Sequence, residues 1–186
     1  VTGPSSSQSP YILPASGPNA AAAGDVRTLS IFTVGDTIGG YRMTGIPDGL
    51  GAFSNGDGTM TVMMNHELGA TVGVARAHGQ TGAFVSRWNI NANAGNLVVN
   101  SGRDHNTSAA DVSIVNGAAQ FNRFCSADLA APSAYQFGGL GTSSRIFMNG
   151  EEAGNEGRAF AHIASGADMN KTYQLPRLGK FSWENS

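Results

Sequence analysis

The sequence predicts an all-β fold of short antiparallel strands, and three observations predict it. From Arg27 onward, β-type runs recur at a spacing near the roughly 8 to 12 residues of sandwiches, barrels and propellers. Gly, Asn and Asp clusters separate the runs, in a chain with 26 glycines. No long amphipathic period and no heptad breaks the pattern, so helical bundles and doubly wound α/β folds fit poorly.

The runs are, in order, "TLSIFTV", "YRMTGI", "GAFS", "TMTVMMN", "FVSRWNI", "NLVVN", "DVSIVN", "RIFMN", "RAFAHI" and "KFSW". "SNGDGT", Ser54 to Thr59, carries the clearest local signal. Asn-Gly and Asp-Gly populate the positive φ angles of tight turns, so it should join "GAFS" to "TMTVMMN" as a hairpin. It mimics part of a calcium loop but lacks the closing glutamate. The best helical candidate is "FCSADLAAPSAY", with Ser126 capping a short turn and Pro132 ending it.

Residues 1–24 hold four of the seven prolines and almost no charge. They read as an extended tail or strap without regular structure. Tyr11, Ile12 and Leu13 are its candidates for pinning the strap to the body, which runs from residue 25 to 186.

Length, a hydrophobic content of 40% and a mean hydropathy of -0.15 allow one real core, hence one domain or part of one. The net charge is -2 and the eleven basic residues are scattered, so nucleic acid is not an expected partner. No apolar run approaches the ~20 residues of a transmembrane helix. Cys125 is the single cysteine, so no internal disulfide forms, and it reads as a small buried hydrophobe. Gly, Ala, Ser, Thr and Asn dominate the polar palette beside only two lysines, as in exported bacterial proteins. A start at Val1 fits signal-peptide removal, and a secreted protein, extracellular or periplasmic, is expected.

Glutamate is scarce and clustered. Of five glutamates, Glu151, Glu152 and Glu156 fall within six residues after "RIFMNG", while Glu67 and Glu184 also follow apolar stretches. A glutamate just beyond a strand is carried to the rim of its sheet. Carboxylates brought close together raise one another's pKa unless a cation intervenes. Oxygen ligands suit calcium, and His66 beside Glu67 would shift the preference towards iron, manganese or zinc. The competing reading is that these glutamates are solvated turn residues and ion-pair partners of Arg145 or Arg158. His78 and His105 read as solvated loop histidines, His162 as a satisfied core or edge histidine. Asp48 reads as a turn residue whose carboxylate could join Glu67. No Gly-x-Ser-x-Gly elbow surrounds Ser126 or Ser143, which leaves no case for a serine hydrolase.

"GYRMTGIPDGLGAFSNGDGTMTVMMNHEL", "SSRIFMNGEEAGNEGRAFAHI" and "LPRLGKFSWEN" together resemble the N-terminal part of secreted bacterial β-propeller proteins related to the PhoX-type alkaline phosphatases. The matching positions are Asn65, His66 and Glu67; Glu151 and Glu152; and Gly179, Lys180, Phe181 and Glu184. The resemblance implies propeller-like antiparallel sheets, here a partial or open propeller and a fragment or a shorter relative. It implies a phosphomonoesterase with iron and calcium held largely by carboxylates. Glu67, Glu151, Glu152, Glu184 and His66 are then the candidate metal ligands, and Arg145 and Arg158 the candidate phosphate clamps. The family motif has an iron-binding cysteine immediately before the paired glutamates, where this chain has Gly150, so calcium is expected more than iron. Cys125 is distant in sequence from that position.

Two functions follow. The first is a secreted metal-binding propeller-like protein, weak or inactive as a phosphatase on its own, with a phosphate ester as substrate if it is an enzyme. The alternative is a non-catalytic extracellular structural protein that assembles into homo-oligomers or filaments through strand edges and its tail.

Overall fold

A computed structural model describes residues 1–12, 28–93 and 97–184. Among them the only helical elements are short 3-10 turns, and thirteen strands form four sheets, antiparallel except for one parallel pair inside the largest. No helix is long and apolar enough to cross a membrane.

Two larger sheets carry the fold. The first is a meander of β3 (Pro47–Ser54), β4 (Thr59–His66), β5 (Phe84–Asn91) and β6 (Val99–Asp104), paired in chain order. The expected "SNGDGT" hairpin joins β3 to β4: Asn55 N–H donates to Thr59 O over 3.0 Å, and Gly56 and Gly58 take φ of 83° and 84°. The second sheet has the order β7-β13-β12-β11-β8, from β7 (Val112–Ser113), β8 (Phe124–Asp128), β11 (Ile146–Glu151), β12 (Ala159–Ile163) and β13 (Thr172–Gln174). Within it β8, β11, β12 and β13 form a second antiparallel meander, and β7 adds to β13 in parallel. Small hairpins β1–β2 (Thr37–Ile38, Tyr41–Arg42) and β9–β10 (Gln136–Phe137, Leu140–Gly141) complete the set.

Alternation decides what each sheet face buries. Met63 of β4 and Val85 of β5 turn inward against Phe124, Phe147 and Phe160 of the second sheet, forming the main core with Phe121. Met64, Trp88 and Ile90 turn outward and are covered by Met43, Phe32, Ile38 and Tyr41. At the line where the sheets meet, a side chain on Gly49 would strike Ala127, and one on Gly51 would strike Leu129.

Several segments depart from expectation. "TLSIFTV" makes only an isolated bridge, Thr2 to Ser30, because Ile31 and Phe32 are used to cover the outer apolar face of the first sheet. "KFSW" forms no strand; Trp183 instead packs on β11. "FCSADLAAPSAY" is strand β8 followed by a 3-10 turn, Pro132–Tyr135, which Pro132 opens rather than ends. Tyr11 and Ile12 do not pin the tail, being 88% and 79% exposed. Residues 1–8 do: Gly3 N–H donates to Ser30 O, Ser5 Oγ accepts from Val99 N–H, and Ser7 N–H reaches Asp36. Leu13 lies outside the described residues, as does 13–24 of the expected tail.

Candidate metal centre

The pairing of β8 with β11 brings Cys125 beside the strand that ends in the paired glutamates. Sγ of Cys125 faces Oδ2 of Asp48 at 3.3 Å and Oε2 of Glu184 at 3.6 Å. One ligand atom each from Cys125, Glu152 and Glu184 lies within 4.8 Å of the others. Cys125 is thus no inert hydrophobe: it is 9% exposed and ringed by carboxylates. Desolvation first, then Asp48 and Glu184, push its thiol up to about 11. A thiol so placed keeps its proton until a cation offsets the surrounding charge.

Glu184 reaches this point through Trp183. The indole lies on Gly150, where any side chain would overlap it, and Trp183 N–H donates to Glu151 O over 3.1 Å. Phe181 stacks on Trp183 with ring centres 4.0 Å apart. Gly150 is therefore the seat of the segment that delivers Glu184. The thiol comes from the neighbouring strand.

Arg123 forms the border of the cluster. Its Nη2 contacts Oε1 of Glu67 at 2.5 Å and Oε2 of Glu152 at 2.8 Å, so two of the candidate glutamates share an arginine. Four carboxylates (Asp48, Glu67, Glu152, Glu184) thus gather around one guanidinium and one thiol. Sequence reading missed Arg123, whose φ of 45° places it in the left-handed region. Asp48, by sequence a turn residue whose carboxylate could join Glu67, instead faces the thiol of Cys125.

The other candidates go elsewhere. Glu151 is 2% exposed and faces Arg158, which contacts it through Nε at 2.8 Å and Nη2 at 2.7 Å. Arg158 also donates to Ala118 O and Gln120 O, so its guanidinium is occupied. Arg145 precedes β11, at the end opposite Glu151, and lies over the Phe53 ring at 5.1 Å. Neither arginine is placed to clamp a phosphate at Cys125. His66 is buried and stacked on Phe84, ring centres 4.0 Å apart. Its Nδ1–H donates to Thr44 O at 2.6 Å, which leaves Nε2 to accept from Ser86 Oγ at 2.7 Å. Burial pushes His66 down to about 4. With both nitrogens used, it offers no lone pair to a metal.

His78 and His105 are not solvated loop residues: they are 2% and 0% exposed, packed against Phe121 and His162 respectively. His162 is a satisfied core histidine. Asn149 Nδ2 donates to Asn65 Oδ1, so Asn149 Oδ1 accepts from His162 Nε2–H, and His162 Nδ1 accepts from Thr172 Oγ1. Asn65 in turn donates to Cys125 O at 2.5 Å, which ties this buried chain to the backbone that carries the thiol.

No family model, no curated protein and no solved structure matches this chain.

Proposed function

We propose that this chain is a metal-binding protein of propeller-like construction, related to the PhoX-type phosphatases, whose cation is held by Cys125, Glu152 and Glu184 with Asp48 alongside. The observation that carries the reading is the convergence of a thiol and two glutamates, one ligand atom from each lying within 4.8 Å of the others. The propeller reading is supported by two consecutive four-stranded meanders packed face to face, as neighbouring blades are.

The donor set selects the ion. Calcium takes about six to eight oxygens, and a sulfur among them is foreign to it. Thiolate with carboxylates suits zinc or iron. The calcium expected from the family motif therefore fits this centre less well than a borderline ion. A bound cation would polarise phosphoryl oxygens. With Arg145 and Arg158 engaged elsewhere, turnover by this chain alone is weak or absent.

Elemental analysis of the purified protein tests the centre. Zinc or iron near one equivalent, lost in Cys125→Ser, is expected; calcium alone, or a metal content indifferent to Cys125→Ser, would overturn the reading. A chromogenic phosphomonoester assay with added metal tests the activity. Robust turnover abolished by Glu152→Gln would show the centre to be catalytic.

A second reading, self-association of a structural protein, is favoured by one observation. Phe137 and Leu140, paired across the β9–β10 hairpin, are 90% and 79% exposed. An apolar concavity of about 490 Å³ beside Trp88, Met64 and Phe32 offers a matching recess. Sedimentation velocity of wild type and Phe137→Asp distinguishes the cases: a concentration-dependent shift present only in wild type supports assembly, and a monomer throughout removes it.

A further inference from the structure

Where the second sheet covers it, the inward face of the first sheet carries Met63, Val85 and the hydrogen-bonded Asn65; beyond that cover it is polar. The strand register places Thr61, Asn89 and Ser101 in one row across β4, β5 and β6, and Met63, Arg87 and Arg103 in the next. The first row and the two arginines of the second, with Trp88, Gly102 and Met169, line a partly open cavity of about 250 Å³.

The charge of this cavity is met only at a distance: Asp104 and Asp111 act on Arg103 without touching it. Arg87 is 9% exposed, and among the described residues the hydrogen bonds of its guanidinium run from Nη1, to Ala164 O at 2.9 Å and to Met63 Sδ at 3.5 Å. Arg103 donates to three neutral oxygens: Asp104 O, His105 O and Asn170 Oδ1. Among the described residues, the ion pairs include neither arginine. The nearest carboxylates are committed. Asp104 is held by Tyr41 Oη at 2.6 Å and Arg76 at 3.6 Å, and Asp111 by Thr107 and Ser108. Two guanidiniums directly opposite on neighbouring strands repel each other, and a buried charge without a partner is costly. Desolvation, then Arg103, pull Arg87 down to about 10, as expected where positive charge is unmet.

We infer that Arg87 and Arg103, with the side chains of Thr61, Asn89 and Ser101, form a binding site for a small tetrahedral oxoanion of the phosphate and sulfate class. Guanidinium forks match two oxygens of such an ion, and the Ser101 hydroxyl and the second Nδ2 hydrogen of Asn89 supply further donors, while Thr61, whose hydroxyl donates to Asn55 Oδ1, shapes the wall. An anion here would neutralise Arg87 where no side chain does. Asn170, at φ 83°, orients Arg103 through its Oδ1, and its neighbour Met169 lines the cavity. The site does not depend on the cation centre; no residue is shared.

Calorimetric titration and thermal melts of the full chain with inorganic phosphate, at ionic strength fixed with chloride, test it. Phosphate and sulfate should bind the wild type and raise its Tm beyond the chloride control. Phosphoserine as a second arm separates an ester from the free ion: tighter binding than phosphate indicates a phosphomonoester, equal binding the free ion, and both support the site. Arg87→Met should abolish the response. Should that variant fail to fold, Ser101→Asp retains the test, because a carboxylate beside the arginines supplies the missing charge. Ser101→Asp should raise Tm without added anion and weaken phosphate roughly tenfold or more. An equal phosphate response in wild type and Ser101→Asp, or none beyond chloride, would overturn the inference.

Discussion

Arg158 grips Glu151 fork to fork, with Nε 2.8 Å from Oε2 and Nη2 2.7 Å from Oε1. The carboxylate also accepts the N–H groups of Asn122 and Arg158, each at 3.0 Å. The first glutamate of the pair thus fastens the end of β11 to the chain before β8, and the second faces the thiol. Adjacent residues divide the roles because the strand alternates and Glu151 follows a register shift after Asn149.

Removing one partner of this buried pair leaves the other uncompensated. Arg158→Met should destabilise the protein by about 3–5 kcal/mol. Glu151→Gln should cost nearly as much, yet the surviving folded fraction should bind zinc as the wild type does if Cys125, Glu152 and Glu184 form the proposed centre. Urea denaturation with parallel elemental analysis checks both. Unaltered stability with lost metal would move Glu151 into the centre.

Placing a cysteine at position 150, as in the PhoX-type motif, should harm this chain. Gly150→Cys forces a side chain into the Trp183 indole, and overpacking of this kind costs ~1–3 kcal/mol. Released Trp183 would shift its fluorescence to the red, and Glu184 would leave Cys125, lowering metal affinity although a second thiol is present. Emission spectra and metal titration of the variant report the two effects separately.

Cys125→Ser should change stability in chelator by no more than about 1 kcal/mol, since serine replaces a thiol that already faces polar groups. In the presence of zinc the two proteins should diverge, because only the wild type gains the linkage free energy of a bound ion. Melts with zinc and with a chelator measure it as the difference between two Tm shifts.

The strands were legible where hydrophobic alternation and turn chemistry agree, as in β3–β4 around "SNGDGT" and in β11–β12. "TLSIFTV" has strand composition, but its Ile31 and Phe32 serve as cover for Met64 and Trp88, a tertiary use that local pattern does not encode. The polar neighbours of His78 and His105 concealed their burial, which comes from packing on Phe121 and His162. Glu152 and Glu184 stood out by scarcity. Asp48 was legible only as a carboxylate able to join Glu67, and Cys125 meets the glutamates only through β8–β11 pairing and the approach of β3 to β8, which no sequence interval announces.

The buried histidines make the fold acid-sensitive. Burial pushes His66 down to about 4 and His105 to about 3, the latter assisted by Arg87, and holds His162 well below the ordinary range of about 6.5. Each folded value is depressed, so above about pH 6.5 both states are neutral and no stability is lost. Below it the unfolded chain takes up protons that the folded chain refuses, and stability falls until the folded values are reached. At pH 5 the loss is on the order of 2 kcal/mol per histidine, a Tm drop of roughly 10 °C for His66 and His105 together. The hydrogen bonds explain the refusal for His162. Thr172 Oγ1 accepts from Asn106 Nδ2 while giving its proton to Nδ1, so protonating that nitrogen would set two donors against each other. Melts from pH 7.5 to 5 check the slope. His66→Asn should lower Tm at pH 7.5 and flatten the acid limb; an acid limb unchanged by that variant would assign the sensitivity to carboxylates instead.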